Sequence, residues 1–221
     1  MYNVDLMLFD LDGTLIDSRT DLARSVNLML ADLGYPQLSE EKIASFVGDG
    51  VPTLTKRSLI AAHPNHEPPA DEVHQRSIKT MLAHYETQMV VATCLYPDVK
   101  ETLQHFKEKH KAVVTSKESR FVKPLLVHLG IADDFDYLIG GDMVKLRKPD
   151  PECVFAAMRQ LGGVPEKTVM IGDSENDILA GRAAGTITCA VTIGFRTTEQ
   201  MREYQPDVLV ESFAGLKDYF V

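Results

Sequence analysis

The stretch Phe9-Asp10-Leu11-Asp12-Gly13-Thr14-Leu15 decides how the rest of the chain is read. The apolar run Leu6-Met7-Leu8-Phe9 leads into two carboxylates one residue apart, then a glycine and a threonine. Runs of this length bounded by turn residues suit strands buried on both faces, although length alone also allows a helical segment. In open α/β sheets, ligands gather beyond the carboxyl ends of strands, which is where Asp10 would stand. Aspartate and glycine are also ordinary turn formers, so by itself the stretch reads equally as an acidic turn.

Downstream, helix spacing prevails first. Leu22, Val26, Met29, Leu30 and Leu33 mark a helix stopped by Gly34. Ser39 caps a short helix ending near Gly48, Pro52 suits the first turn of a helix running to about Ala62, and Ile78, Met81, Leu82 and Tyr85 mark another. From about Asp17 to Thr93 no strand is predicted. After Leu95-Tyr96-Pro97 the pattern alternates. Strands are predicted at Ala112–Thr115, Tyr137–Ile139, Thr168–Ile171, Cys189–Val191 and Val208–Val210, with apolar helical repeats between them. Such alternation implies a parallel, doubly wound sheet, with the helical block inserted just after the Asp10 loop. The expected fold is therefore α/β, with core residues 1–16 and 95–221 and an all-helical domain at 17–94.

Parallel strands place their carboxyl ends along one edge. Those ends carry Asp10 and Asp12, Thr115-Ser116-Lys117, and Gly172-Asp173-Ser174-Glu175-Asn176-Asp177, while Lys148 lies in the loop before the helix at Pro151. Clustered carboxylates are what Mg²⁺ accepts, and it keeps room for water and phosphate. A lysine offers a point charge to phosphate oxygens, and hydroxyls with backbone N–H groups hold the others. Singly, each residue has a plain structural reading: a strand-end threonine, a loop lysine, helix-capping aspartates. Jointly they point to phosphoryl chemistry.

Composition narrows the classes. The 221 residues are 44% hydrophobic and 25% charged, and the formal net charge is −9. That charge argues against nucleic acid or an anionic membrane as partner, and requires a local cation at any phosphate site. Cys94, Cys153 and Cys189 are too scattered for a disulfide framework or a metal cluster, so they are expected to be buried or half-buried thiols of a reducing compartment. The N-terminus lacks a basic segment ahead of its apolar run, and no run is long enough to span a bilayer. A cytoplasmic protein, monomeric or homodimeric, is expected.

As an ordered set, Asp10-Leu11-Asp12-Gly13-Thr14, Thr115, Lys148, and Gly172-Asp173-Ser174 with Asp177 resemble the four motifs of the haloacid-dehalogenase-like (HAD) superfamily of aspartyl phosphotransferases. The resemblance covers nearly the whole chain. It implies a Rossmann-like core and identifies the helical insertion as a C1-type cap hinged at Asp17-Ser18 and Leu95-Tyr96-Pro97. Phe46-Val47-Gly48-Asp49-Gly50 and Lys148-Pro149-Asp150-Pro151 are most similar to the phosphoglycolate phosphatase branch.

The resemblance also implies roles. Asp10 would be the nucleophile that forms an aspartyl-phosphate. Mg²⁺ would be held by Asp10, the backbone carbonyl of Asp12, and Asp173. Asp12 would protonate the leaving oxygen and then deprotonate the attacking water. Gly13, Thr115 and Ser116 would hold phosphoryl oxygens, Lys148 would offset charge, and Asp177 would orient Lys148 or a water of the metal. Gly48, Asp49 and Gly50 would form the substrate loop of the cap, while Lys56 and Arg57 read more simply as exposed helix charges. Dehalogenases and phosphonatases of the superfamily lack an acid at the Asp12 position, so Asp12 selects phosphate esters.

The substrate would be a small phosphorylated metabolite, foremost 2-phosphoglycolate. Pyrophosphatase, sugar-phosphate phosphatase and phosphomutase activities use the same groups. A non-catalytic phosphometabolite-binding protein or a receiver-type signalling domain are the readings outside enzymology. Ser116 and Asp98 depart from the branch, where asparagine and glycine are common at those positions.

Overall fold

In the computed structural model, which describes residues 1–221, the run Leu6–Phe9 forms strand β1 with all four side chains buried. The chain continues through β2 (Ile16–Asp17), α1 (Arg19–Asp32), α2 (Glu40–Ala44), α3 (Val51–Ala62), α4 (Asp71–Gln88), β3 (Cys94–Leu95) and α5 (Val99–His105). It then alternates through β4 (His110–Val114), α6 (Ser119–Leu129), β5 (Tyr137–Ile139), α7 (Glu152–Leu161), β6 (Thr168–Gly172), α8 (Glu175–Ala183), β7 (Ile187–Val191), α9 (Thr198–Glu203) and β8 (Val208–Val210). Met1–Asp17 with Leu95–Val221 form one unit, and Ser18–Cys94 form a second. No helix is long and apolar enough to cross a membrane.

In the first unit, six strands pair in the order β5-β4-β1-β6-β7-β8, every pairing parallel. β1 lies between β4 and β6, with Phe9 level with Val113 on one side and Ile171 on the other. The residues that follow these three strands, Asp10, Thr115 and Asp173, therefore share one edge. Strand order reverses around β1, so this edge is a topological switch point, where open α/β sheets bind ligands.

Both faces of β1 are covered, which explains its unbroken apolar run. Leu6 and Leu8 join Val114, Met170, Val154 and Met158 in one cluster. On the other face, the Phe9 ring stacks on Phe213 with centroids 6.0 Å apart and meets the edge of Phe135 at 6.1 Å. Each such burial stabilises the fold by about 1.5–3 kcal/mol.

Two sequence expectations need amending. β4 begins at His110, two residues before the apolar run, because Lys111 is accommodated inside it. The Lys111 ammonium donates to the carbonyls of Phe106 (2.8 Å) and Lys109 (3.0 Å), so its buried charge is solvated by backbone. Cys153 and Cys189 are buried, but Cys94 is exposed because it opens the two-residue strand β3.

In the second unit, α1 packs against α2, α3 and α4. Leu22, Val26, Met29, Leu30, Ile43, Leu54, Leu59, Met81 and Tyr85 are among its buried side chains. The Ser39 hydroxyl accepts the Lys42 N–H at 3.2 Å to start α2, and Pro52 sits in the first turn of α3. A fully buried carboxylate, Asp21, fixes the end of this unit. It accepts the backbone N–H groups of Ala92 (2.9 Å) and Thr93 (2.8 Å) and the Thr93 hydroxyl (2.8 Å). Replacing Asp21 by alanine leaves those donors unpaired, and we expect a loss of about 2–4 kcal/mol. Amide hydrogen exchange checks this, with protection lost first at Ala92 and Thr93.

Candidate active site

Asp10 follows β1, and its backbone N–H donates to the Ile171 carbonyl at 2.9 Å, so the β ladder itself sets its position. Lys148 reaches it from the loop after β5. The Lys148 Nζ donates to Asp10 Oδ1 (2.9 Å), Asp177 Oδ1 (2.6 Å) and the Val114 carbonyl (2.8 Å), which occupies all three of its protons. Only 3% of the Lys148 side chain is exposed, and none of Asp177. Burial alone would push this ammonium down, but the charges of Asp10 and Asp177 outweigh it and hold its pKa well above the ordinary lysine value.

Asp177 serves two purposes. One oxygen receives Lys148, and the other accepts the N–H (3.1 Å) and hydroxyl (2.6 Å) of Ser174, closing a capping box at the start of α8. One oxygen of this residue thus caps α8 while the other holds Lys148.

Asp173, after β6, is held at both oxygens. The Thr14 hydroxyl donates to Oδ1 at 3.3 Å, and the backbone N–H of Phe195, in the loop after β7, donates to Oδ2 at 2.7 Å. Two glycines make room for it. A side chain at Gly13, whose φ is +89°, would collide with the Asp173 carboxyl, and one at Gly194 would collide with that carboxyl and the Gly13 carbonyl. Arg196 continues this loop and pairs with Glu175 at 3.1 Å.

Asp10, Asp173 and Asp177 each present a carboxylate oxygen within 4.8 Å of the others. Burial, aided by the charges of Asp177 and Asp12 and opposed by Lys148, pushes Asp10 up to about 6. Burial and the neighbouring Asp10 and Asp177 carboxylates also hold Asp173 well above the usual carboxylate range. Counted as fully ionised, four carboxylates (Asp10, Asp12, Asp173, Asp177) face two ammonium groups (Lys117, Lys148), a formal excess of two negative charges that the raised Asp10 and Asp173 relieve by holding protons. A hard divalent cation with oxygen ligands, such as Mg²⁺, fits both the donors and that excess charge. Asp177 is taken up by the Lys148 ammonium and the α8 cap, whereas Asp173 meets neutral donors and Asp10 gives one oxygen to Lys148, so Asp10 and Asp173 are the side chains suited to ligate it.

On the other flank, Thr115 and Ser116 end β4. The Thr115 hydroxyl accepts the Lys117 N–H at 3.2 Å, which tightens the turn, and the buried Ser116 Oγ has no hydrogen-bond partner. A buried hydroxyl without a partner is a donor suited to an incoming anion. Asp12 carries an ion pair that sequence reasoning did not assign. The Lys117 Nζ lies 2.9 Å from Asp12 Oδ1 and 2.8 Å from Oδ2. Lys117 stands in the same strand-end turn as Thr115, and that placement was the readable signal. The Phe195 amide offered none, since every residue carries one.

The structure thus brings Asp10, Asp12, Gly13, Thr115, Ser116, Lys148, Asp173 and Asp177 together in the first unit. Gly48, Asp49 and Gly50 belong to the second, where Asp49 pairs with Arg57 at 2.6 Å.

A family model described as haloacid dehalogenase-like hydrolase matches residues 7–191. The chain belongs to this family. It is 37% identical over 214 residues to the phosphoglycolate phosphatase of Colwellia psychrerythraea, covering 96% of this chain and 95% of that one. Identity to the phosphoglycolate phosphatase of Haemophilus influenzae is also 37% over 214 residues, covering 96% of each. The crystal structure of a predicted phosphoglycolate phosphatase from Haemophilus somnus superposes with a TM-score of 0.91 at 31% identity, covering 97% of both chains.

In this HAD-like hydrolase Lys148 is a buried charge, and Asp177→Ala removes one of two carboxylates from that ammonium. A loss of about 3–5 kcal/mol is expected on breaking a buried pair in this way. For Glu175→Ala, which breaks a part-exposed pair, about 1 kcal/mol or less is expected. Chemical denaturation of the two variants side by side checks the contrast.

Proposed function

We propose that the chain is a Mg²⁺-dependent phosphomonoester hydrolase working through an aspartyl-phosphate, with 2-phosphoglycolate as substrate. One arrangement carries this reading. A carboxylate at the central strand end is gripped by a buried lysine, with a second carboxylate two residues on and a third within reach of a shared cation. Relatives named phosphoglycolate phosphatase over nearly the whole chain support the substrate.

In this mechanism Asp10 attacks phosphorus and the bond to the leaving oxygen breaks, while Asp12 gives that oxygen a proton. Asp12 then takes a proton from the water that attacks the aspartyl-phosphate, which releases phosphate and restores Asp10. Lys148 offsets charge on Asp10 throughout, and Ser116 with the N–H groups of the β4 turn holds phosphoryl oxygens. Asp10, Asp173 and the Asp12 carbonyl would hold Mg²⁺, which supplies positive charge between an anionic nucleophile and an anionic phosphoryl group. By family resemblance, residues 18–94 act as the cap that selects the substrate, with Gly48-Asp49-Gly50 as its specificity loop.

A phosphate-release screen over phosphoglycolate, pyrophosphate, sugar phosphates and nucleotides tests the reading, with phosphoglycolate expected to rank first. Asp10→Asn should lower kcat by a factor on the order of 10⁴–10⁶, as removal of a nucleophile does. Asp12→Asn should lower it by about 10²–10⁴, the scale of general acid–base catalysis. Undiminished turnover by Asp10→Asn would defeat the proposal.

The Asp10 carboxyl also sets a pH dependence. Its metal-free pKa is raised to about 6, so below that pH a proton occupies it and must be displaced by the cation. Mg²⁺ should therefore raise Tm more at about pH 7.5 than at about pH 5. Differential scanning fluorimetry with and without Mg²⁺ measures this, and an equal shift at both values would contradict it.

A further inference from the structure

We infer that Lys117 is the specificity residue of this site: it exchanges its ammonium between Asp12 and an anionic group on the leaving side of the substrate. The inference rests on the hydrolase reading for the roles of Asp10 and Asp12, and goes beyond it in naming what reads the leaving group.

Three observations carry it. First, the two lysines of the site are divided between Asp10 and Asp12. Lys148 is committed by three hydrogen bonds to Asp10, Asp177 and the Val114 carbonyl, so it serves the phosphoryl side. Lys117 stands on Asp12, the carboxylate that meets the leaving oxygen. Second, the ammonium of Lys117 lies on both Asp12 oxygens at once, at 2.9 and 2.8 Å. An Asp12 that carries the proton for the leaving oxygen is a neutral carboxyl and holds the ammonium less strongly than the carboxylate does, so Lys117 is released towards another anion at that step. Third, the pair is secluded, with 5% of the Lys117 side chain and 13% of Asp12 exposed, so water is a poor alternative partner for a displaced ammonium. An anionic substituent on the leaving group can replace the Asp12 contact, whereas a neutral one leaves the ammonium where it is. The flexible lysine stem and its compact charge suit such an exchange. The class selected is a phosphate monoester whose leaving group bears a carboxylate or a second phosphate close to the ester oxygen.

The test compares matched pairs of ligands in the full-length protein. For binding without turnover, 3-phosphonopropionate is set against propylphosphonate by calorimetry in Mg²⁺; the two differ by a carboxylate. For turnover, phosphoglycolate is set against ethyl phosphate. The wild type should favour the carboxylate-bearing member of each pair by about 100-fold, the scale for a desolvated charge pair. Lys117→Met should erase most of that ratio, and Lys117→Arg should keep it within about 10-fold of wild type. A Lys117→Met variant that loses both members of a pair equally would overturn the inference and leave Lys117 a support for Asp12. Should that variant fail to fold, the wild type decides alone, since equal affinity for the two phosphonates overturns the inference. If no phosphate ester is turned over, the hydrolase reading fails while the binding comparison still decides the role of Lys117.

Discussion

A single buried ammonium fastens the site together. Lys148 arrives from the loop after β5 and is held by the ends of β1 and β4 and the first turn of α8. In a low-dielectric interior, such a charge is tolerable only when its partners are charged and well placed. The partners constrain one another in turn. Asp177 is fixed by the Ser174 cap, and Asp10 by the ladder bond to Ile171. The Asp10 carboxylate is therefore aimed by structure present before any ligand arrives, which is the condition for electrostatic preorganisation.

The negative half of the site is braced differently. Asp173 is oriented by neutral donors, the Thr14 hydroxyl and the Phe195 N–H, and the backbone crowds it closely enough that Gly13 and Gly194 admit no side chain. Neutral donors orient a carboxylate without cancelling its charge. Counted as ionised, the site carries two negative charges in excess, which suits it to a divalent cation.

Much of this was legible in the sequence, and the reasons are specific. The runs at Leu6–Phe9 and Thr168–Ile171 announce buried parallel strands, and parallel topology then forces Asp10 and Asp173 onto one edge. The Ser39 cap of α2 likewise follows from side chains alone and is present. What escaped were contacts that depend on exact placement. The start of β4 was hidden because a lysine within a strand looks polar until its ammonium is seen to find backbone carbonyls. The Phe195 amide was unreadable because it belongs to the backbone. Lys117 was visible in the right turn, but its pairing with Asp12 depends on where two loops from different strands end.

The discontinuity of the first unit has a consequence for how the protein is made. β1 leaves the ribosome before residues 18–94, and both strands that will flank it come after them. The helical unit is continuous in sequence, so its contacts can close while β1 is still without neighbours. The strand that ends in Asp10 must wait, apolar and unpaired, until β4 and then β6 emerge. During vectorial synthesis the site can therefore assemble only after β6 has emerged.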